Sequence, residues 1–560
     1  MCPRFLLVLV ICAGSLVPAK AFARGKAEHV VMVVWDGMRP DFITPQYTPV
    51  LFELAAGGTF FARNHPVYVS TTEVNGTALA TGMFPEHSGI IANTEYRPDF
   101  NWLSSYATEA LEVVRRGDAA SQGHYLQAAT VAELIHAAGF PTIVAGAKPI
   151  ALLHDRAPRK VSQAEKDSVT LFRGQTLPKH ALDSLVKARD VGPFPGADAD
   201  SSDAGSSRGR RRRAAEATPA AAGPAPAAAT NSAASRGSLA NSIDSWTTRA
   251  LARGLWKNGL PKFSVLWLSE PDAAQHAGGV GSDVALEALA SSDDQLGAVL
   301  KALEEKNALD STDVIVVSDH GFSTIDRGPD IMDSLKRSKF NAGVQFQNPE
   351  AGDILVDNLG GSVFFYVFEH DEAVIKRLVG YLQGTDFAGV IFCALPIEGT
   401  FRLSDVHLAA TNGAPDVVVS MRWNSEPNEY GAKGLVTSLE GRPGQGTHGS
   451  LSPFDMHNTL VASGPDFKKQ FVSGLPSGNI DVAPTILWIL GIAPETAGDG
   501  RVLYEALANA GQEPLKPVER TLEAHRDLGV LSWHQSLKTL SMGNAVYYEE
   551  GNGESRMKQP

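Results

Sequence analysis

The chain has 560 residues, of which 43% are hydrophobic and 20% charged, an ordinary globular composition that excludes a wholly disordered, collagenous or disulfide-stapled protein. Its formal net charge of −13 opposes general binding to a phosphate backbone, so we expect no nucleic-acid polymer as a partner. Of the three cysteines, Cys2 and Cys12 lie in an N-terminal leader, and the remaining Cys393 alone closes no internal disulfide.

Residues 1–23 have the three parts of a secretory signal peptide. Arg4 gives a basic start, an apolar run extends from Phe5 to Val17, and Ala21-Phe22-Ala23 places small residues at the cleavage positions. The apolar run is shorter than the ~20 residues that span a bilayer, which favours cleavage over a membrane anchor. No later stretch predicts a membrane span, so we expect a secreted or periplasmic protein once the signal peptide is removed.

Short apolar runs then alternate with amphipathic segments. The predicted strands, which are nearly continuous in apolar residues, cover 29–35, 141–146, 262–268, 313–318, 415–420 and 458–463. The predicted helices cover 48–57, 127–138, 243–257, 283–305, 371–383 and 482–491. This alternation predicts an α/β fold with a mostly parallel central sheet that is covered by helices on both faces.

One segment departs from the pattern. Residues 196–238 contain no branched aliphatic or aromatic residue and carry an arginine run at Arg208 and 210–213. Such a composition buries too little apolar surface to offset its ordering entropy, so we predict a disordered insertion within the domain at about 196–240. A solvated loop is the favoured interpretation of the arginines, and a handle for an anionic membrane or polymer is the alternative.

Four short motifs, which we place after strands, are rich in metal-ligand residues. They are WDGMRP with Asp36, WLSEPDAAQH with Asp272 and His276, VVSDHG with Asp319 and His320, and GTHGS with His448. Open α/β sheets bind ligands at the carboxyl ends of their strands, and the DxxxH spacing puts both side chains on one face of a helix. Three carboxylates and three imidazoles suit two divalent cations; mixed nitrogen and oxygen donors favour zinc, with manganese or iron as alternatives.

A hydroxyl-rich turn in residues 68–82 leads into a helix of small residues and offers a nucleophile. Thr72, at the helix N-terminus, can meet a metal and present its oxygen to phosphorus, although an N-cap or turn role is the alternative for this residue alone. Asn75, three residues later, is predicted to lie on the same helix edge and to donate its amide to a phosphoryl oxygen.

The order of these motifs resembles that of the type I phosphodiesterase and nucleotide pyrophosphatase family of the alkaline phosphatase superfamily. The motifs are, in order, DG, the threonine-centred turn with its asparagine, EPDxxxH, SDHG and HG. The runs HGSLSPFDMHNTLVASGPDF, DVAPTILWILGI and GDGRVL are similar to its secreted bacterial branch. The resemblance covers about residues 29–505. It implies an alkaline-phosphatase-like domain over 24–510, cap segments at about 325–410, and a C-terminal extension at 511–560 that packs on the core.

The resemblance also implies roles for the motif residues. One zinc would be held by Asp36, Asp319 and His320, and the other by Asp272, His276 and His448. Thr72 would lie between the ions as the nucleophile and Asn75 would orient a non-bridging oxygen. The implied reaction is hydrolysis of a phosphodiester or phosphoanhydride bond in a small molecule through a covalent phosphothreonine.

Glu73 departs from the family pattern and leaves the substrate open. Many nucleotide-hydrolysing members have an aromatic residue after the threonine, and stacking on a base is worth ~1–3 kcal/mol in single-strand binders. Two alternatives stay open. One is hydrolysis of a phosphomonoester or of a phosphonate such as phosphonoacetate, since the same six ligands serve these reactions; a monoester specialist needs an extra cation or donor for the additional charge. The other is a catalytically inert metal-binding protein. The spacing of Arg39 and Lys148 does not place either one at the site.

Overall fold

A computed structural model describes residues 25–156, 163–187, 191–195, 239–409, 413–494, 497–511 and 515–558. The predicted signal peptide and almost all of the predicted insertion, including its arginine run, lie outside the described residues. Among the residues that are described, no helix combines the length and apolar character needed to cross a membrane.

A nine-stranded sheet forms the centre of the molecule. In spatial order its strands are Phe471–Ser473, Thr59–Phe61, Leu460–Ser463, Thr312–Val317, His29–Trp35, Phe263–Leu268, Thr142–Gly146, Val169–Phe172 and Gln175–Leu177. Five of the eight pairings are parallel, and they include both pairings among the three inner strands, which begin at Thr312, His29 and Phe263. The prediction of a mostly parallel central sheet is confirmed.

Helices cover both faces of this sheet. Along the strand His29–Trp35, Val30 and Met32 join one buried cluster, whereas Val31 and Val33 join another. The first cluster includes residues of the helix Asn479–Leu490, and the second includes residues of the helix Asp283–Glu305. Alternate side chains of one strand thus bury against opposite helix layers, which explains why the strand sequence is apolar throughout.

A helix occurs at each of the six predicted positions: Pro49–Gly57, Val131–Ala137, 239–249, Asp283–Glu305, Glu372–Leu382 and Asn479–Leu490. Residues 243–257 are not one α-helix, however, because a π-helix at Ala250–Gly254 and a 3₁₀ turn at Leu255–Asn258 follow the α-helical part. The remaining α-helices are Thr72–Thr81, Pro85–Ser88, Leu111–Ser121, Ala151–His154, Gln163–Asp167, His180–Lys187, Asp272–Gly278 and Ile331–Arg337. Short 3₁₀ turns occupy Pro40–Phe42, Leu309–Ser311, Phe368–His370, Leu403–Val406 and Tyr504–Ala506.

One predicted central strand belongs to a different sheet. The run 415–420 forms the strand Val417–Met421, which pairs with Ser362–Val367 and Ala388–Cys393 in a second, six-stranded sheet. Its other strands are Ala342–Gly343, Ile354–Asn358 and Phe401–Arg402. This sheet is also buried on both faces, since Val418 and Val419 lie in separate clusters. An apolar run indicates two buried faces, but it does not specify which sheet the strand joins.

The C-terminal residues form a third sheet that contacts the second. Buried Leu537, Leu540 and Tyr547 share a cluster with Phe364 and Phe392 of the second sheet. The strands of this C-terminal sheet are Val518–Asp527, Leu531–Met542 and Ala545–Met557, and they pair in antiparallel order. Three smaller sheets complete the fold of the described residues. One has four strands, Trp423–Pro427, Lys433–Thr437, Ser323–Arg327 and Gly446–Thr447. The other two have two strands each: Ser477–Gly478 pairs with Asn64–His65, and Thr94–Glu95 pairs with Tyr106–Ala107.

Candidate active site

Three acidic residues follow the carboxyl ends of the three inner strands. Asp36 comes directly after one strand, Asp319 lies two residues beyond the next, and Asp272 opens the helix Asp272–Gly278. Because these strands are parallel neighbours, their carboxyl ends meet at one edge of the sheet. His276 lies one turn along that helix with its Nε2 3.3 Å from Asp272 Oδ1, which confirms that the DxxxH pair shares a helix face.

The structure brings the six predicted ligands into two groups, each of which can hold a metal ion: Asp36 with Asp319 and His320, and Asp272 with His276 and His448. In the first group, His320 Nε2 lies 3.3 Å from Asp319 Oδ2 and 3.6 Å from Asp36 Oδ1. In the second, His448 Nε2 lies 3.6 Å from Asp272 Oδ1. The rings of His320 and His448 stack with centroids 3.7 Å apart, so the two groups are direct neighbours.

The backbone sets the orientation of all three imidazoles. Nδ1 of His276, His320 and His448 lies 3.0, 2.9 and 2.9 Å from the carbonyl oxygens of Gly446, Gly321 and Ser70, respectively. A carbonyl oxygen only accepts, so each Nδ1 is assigned as the protonated donor and each Nε2 carries the lone pair. This is the arrangement that metal-ligating histidines adopt.

Unsatisfied oxygens show that the groups fit a cation. Asp36 Oδ1, Asp272 Oδ1 and Asp319 Oδ2 are buried and make no hydrogen bond within the described residues. These same oxygens lie nearest to the imidazole Nε2 atoms. Leaving such atoms unpaired is costly, and a divalent cation with nitrogen and oxygen ligands would satisfy them.

The charges of the site depend strongly on burial. Burial, together with the charge of Asp319, raises the pKa of Asp36 to about 7, and burial likewise raises the pKa of Asp319 to about 7. Burial and the neighbouring His320 and His276 lower the pKa of His448 well below its ordinary value. The neutral imidazole of His448 can therefore serve as a ligand near neutral pH, whereas Asp36 and Asp319 must lose protons to do so. Burial lowers the pKa of His276, but the neighbouring Asp272 outweighs burial and raises that pKa.

Thr72 opens the helix Thr72–Thr81 and faces the first ligand group, with its Oγ1 3.3 Å from His320 Nε2. All ten residues of this helix are buried. Glycine is required at position 76, because a Cβ there would lie 2.7 Å from the Ile150 side chain and 3.1 Å from that of Trp267. The close packing of this helix against the central sheet holds the Thr72 hydroxyl beside the predicted metal ligands.

Asn75 has a different role from the one predicted. Its Nδ2 donates to the backbone carbonyls of Val67, Val69 and Thr71, and its Oδ1 accepts from the Val67 amide. The residue is fully buried. This geometry contradicts donation to a phosphoryl oxygen, because both amide hydrogens bind the turn that precedes Thr72. Asn75 therefore positions the nucleophile turn.

Asn93 is better placed than Asn75 to donate a hydrogen bond near Thr72, and no local pattern in the sequence indicated this. Its Oδ1 accepts a hydrogen bond of 3.1 Å from the backbone amide of Glu73, the residue after Thr72. The side chain is half-buried, and its Nδ2 makes no hydrogen bond to any other described residue. Asn93 thus has an uncommitted amide donor at the first turn of the Thr72 helix.

Lys148 lies between the two ligand groups. Its Nζ donates to Asp36 Oδ2 and to Asp272 Oδ2, each at 2.8 Å, so it contacts one acid of each group. Burial lowers the pKa of Lys148, but the carboxylates of Asp272 and Asp36 outweigh it and raise that pKa well above its usual value. Arg39, in contrast, is bound by Asp41 and by the carbonyls of Phe322 and Lys433.

The sequence of this chain is similar to those of known proteins. A family model described as type I phosphodiesterase / nucleotide pyrophosphatase matches residues 30–451. The chain belongs to this family. Members with similar sequences include ectonucleotide pyrophosphatase/phosphodiesterase family member 3 of Rattus norvegicus, 27% identical over 241 residues, and the venom phosphodiesterase of Naja atra, 26% identical over 215 residues. These matches cover 42% and 38% of this chain but only 25% and 23% of those relatives.

Solved structures of murine ectonucleotide pyrophosphatase/phosphodiesterase 5 resemble the fold. Two of them match with a TM-score of 0.52 and 16% identity, and the match covers 86% of this chain and 100% of theirs. One is an inactive threonine-to-alanine variant in complex with AMP. This likeness confirms the alkaline-phosphatase-like α/β fold that the sequence motifs implied.

Proposed function

We propose that this protein is a secreted, metal-dependent hydrolase that cleaves phosphodiester or phosphoanhydride bonds of small molecules with Thr72 as the nucleophile. The observation that carries the proposal is the Thr72 hydroxyl, 3.3 Å from His320 where two groups of metal ligands adjoin. The names of the similar proteins, a venom phosphodiesterase and ectonucleotide pyrophosphatases, support both the reaction and export.

The six acids and imidazoles would hold two zinc ions or other divalent cations, which when bound would activate the attacking hydroxyl and stabilise the leaving oxygen. Thr72 Oγ1 would attack phosphorus in line with the departing alkoxide, forming a phosphothreonine ester as the P–O bond to the leaving group breaks. Water would then cleave this ester. Two in-line displacements retain the configuration at phosphorus.

Other groups of the chain would orient the substrate. The N-terminus of the Thr72 helix favours negative charge, and the free Nδ2 of Asn93 would donate to a non-bridging oxygen. The buried Trp267 donates its Nε1 to Asp36 Oδ2 at 2.9 Å, which fixes this carboxylate for its role as a ligand.

Lys148 favours a second candidate function, the hydrolysis of a phosphomonoester or phosphonate. Such substrates carry more negative charge than a diester, and the Lys148 ammonium places a positive charge beside both ligand groups. The sequence alone did not place this cation. Diester hydrolysis remains our first proposal because the similar proteins of Rattus norvegicus and Naja atra carry phosphodiesterase in their names.

A substrate panel with zinc supplied tests both functions. We expect wild-type protein to release nitrophenol from bis-nitrophenyl phosphate with a higher kcat/KM than from nitrophenyl phosphate, and to leave phosphonoacetate largely intact. A strong preference for the monoester or the phosphonate would favour the second candidate. Bound zinc without hydrolysis of any ester would indicate an inert metal-binding protein.

Lys148→Met separates the substrates further. Because the variant loses the ammonium, we expect it to lower monoester kcat/KM by ~10²-fold, the size of effect seen when one charge-stabilising group is removed, and diester kcat/KM by less than ~10-fold. Lys301→Met, at an exposed lysine on the helix Asp283–Glu305, is the matched control and should change neither value. Equal losses on both substrates would show that Lys148 does not discriminate between them.

A further inference from the structure

A third group of metal-ligand residues lies outside the candidate active site. It consists of His65, His457 and Glu549, and each offers one ligand atom within 4.8 Å of the others. His65 belongs to the short strand Asn64–His65, and His457 lies in the loop before the strand Leu460–Ser463. Glu549 lies on the last strand of the C-terminal sheet. The group therefore joins the C-terminal sheet to two segments of the preceding part of the chain, which carries the candidate active site and is called the catalytic core below.

The distances resemble those of the two active-site groups. His65 Nε2 is within hydrogen-bond distance of Glu549 Oε1, at 3.0 Å, and His457 Nε2 lies 3.8 Å from Glu549 Oε2. The corresponding nitrogen-to-oxygen distances in the active-site groups are 3.3 and 3.6 Å. The two imidazole rings meet edge to face with centroids 4.9 Å apart, so they do not block each other. Both nitrogens can approach a cation beside the carboxylate.

The orientation of His65 repeats that of the active-site histidines. Its Nδ1 lies 2.9 Å from the carbonyl oxygen of Ser477, which only accepts, so Nδ1 is the donor and Nε2 faces Glu549. The Nε2 atom of His457 is buried and has no hydrogen-bond partner in the described part of the chain. Ligand nitrogens and a carboxylate thus converge on one point, and the second nitrogen is unsatisfied.

The surroundings suit a structural ion. Arg63 contacts Glu549 Oε1 at 2.7 Å and fixes the carboxylate, leaving Oε2 on the side of His457. His65 and the Nε2 atom of His457 are buried, although 34% of the His457 side chain is exposed. Two imidazoles and one carboxylate can hold zinc when water takes the open fourth position.

We propose that His65, His457 and Glu549 bind a third divalent cation, zinc by its donor set, which fastens the C-terminal sheet to the catalytic core. The ion would bind the folded protein only, because its ligands come from three distant segments of the chain. It would therefore raise the unfolding temperature without taking part in hydrolysis.

Zinc counting on the full metal-loaded chain tests the proposal. After dialysis against metal-free buffer, elemental mass spectrometry should find one zinc fewer per chain in His457→Asn and in Glu549→Gln than in wild type. Turnover of bis-nitrophenyl phosphate should stay within ~2-fold, since neither side chain belongs to the two active-site ligand groups. His124→Asn, at an exposed histidine elsewhere, is the matched control and should keep all of its zinc.

The variants His457→Asn and Glu549→Gln together decide whether the third site binds zinc. Glu549→Gln preserves the shape of the side chain, so a folded protein with wild-type turnover and one zinc fewer supports the site. Wild-type zinc content in both variants would overturn the proposal and leave a simple histidine–carboxylate ion pair. The measured quantity is a difference of one zinc between wild type and variant, so it does not depend on whether the active-site groups retain their metals. A negative result for this site therefore differs from a negative result for the proposed hydrolase activity.

Discussion

Replacing Thr72 by alanine should lower the turnover of bis-nitrophenyl phosphate by at least ~10³-fold, as expected when a nucleophile is removed. The variant should keep the wild-type content of zinc, because the six acids and imidazoles around it are unchanged. Steady-state kinetics and elemental analysis on the same preparation measure both quantities. Wild-type-like turnover of Thr72→Ala would reject Thr72 as the nucleophile.

Two neighbouring threonines provide matched controls. Thr77 lies on the same helix, and its hydroxyl donates to the Glu73 carbonyl, so Thr77→Ala should retain activity within a few-fold. Thr71 is the rival nucleophile, since its buried hydroxyl makes no hydrogen bond within the described chain. An inactive Thr71→Ala beside an active Thr72→Ala would assign the reaction to Thr71.

Removal of metal should abolish hydrolysis as completely as loss of Thr72, and zinc should restore it. Without cations, the buried acidic groups of Asp36, Asp272 and Asp319 would face an anionic substrate, and the Lys148 ammonium contacts only two of these three described groups. Activity before chelation, after it, and after stepwise addition of zinc measures the effect. Full activity after the last metal has been removed would refute a metal-dependent mechanism.

The rebinding of zinc should depend on pH in a defined direction. Burial raises the pKa of Asp36 and of Asp319 to about 7, so both carboxyls of the first group hold protons below that pH. Ligation needs the ionised form, and zinc binding therefore releases protons. We expect zinc affinity to be at least ~10-fold lower at pH 6 than at pH 8, as titration calorimetry can show; equal affinities at the two pH values would contradict this.

The local parts of the site were predictable from the sequence. Asp36 and Asp319 follow apolar runs that could be recognised as strands, and the four-residue spacing of Asp272 and His276 indicated a shared helix face. The division of the six ligands into two groups needed the family resemblance, because spacing along the chain does not show which ligands meet in space. The helix Asp283–Glu305 was predicted with its observed bounds, since its amphipathic pattern is long and regular.

Contacts between distant segments could not be predicted. Lys148 reaches the acids from the loop after the strand Thr142–Gly146, and nothing in its own neighbourhood signals two carboxylate partners. Asn75 was assigned to the substrate because of its position after Thr72, although three backbone carbonyls of the preceding turn take up its amide hydrogens. The run 415–420 showed that its strand is buried, but sheet membership depends on pairing partners far along the chain.

The most direct test of the central claim is anomalous diffraction at the zinc edge from crystals of the zinc-loaded protein. At the candidate active site we predict two peaks ~3.5–4 Å apart, the usual separation in two-metal hydrolases, with the Thr72 hydroxyl between them; the proposed site at His65, His457 and Glu549 would give a separate third peak. One peak should lie among Asp36, Asp319 and His320, and the other among Asp272, His276 and His448. A single peak, no peak at either group, or a Thr72 hydroxyl turned away from both ions would contradict the account.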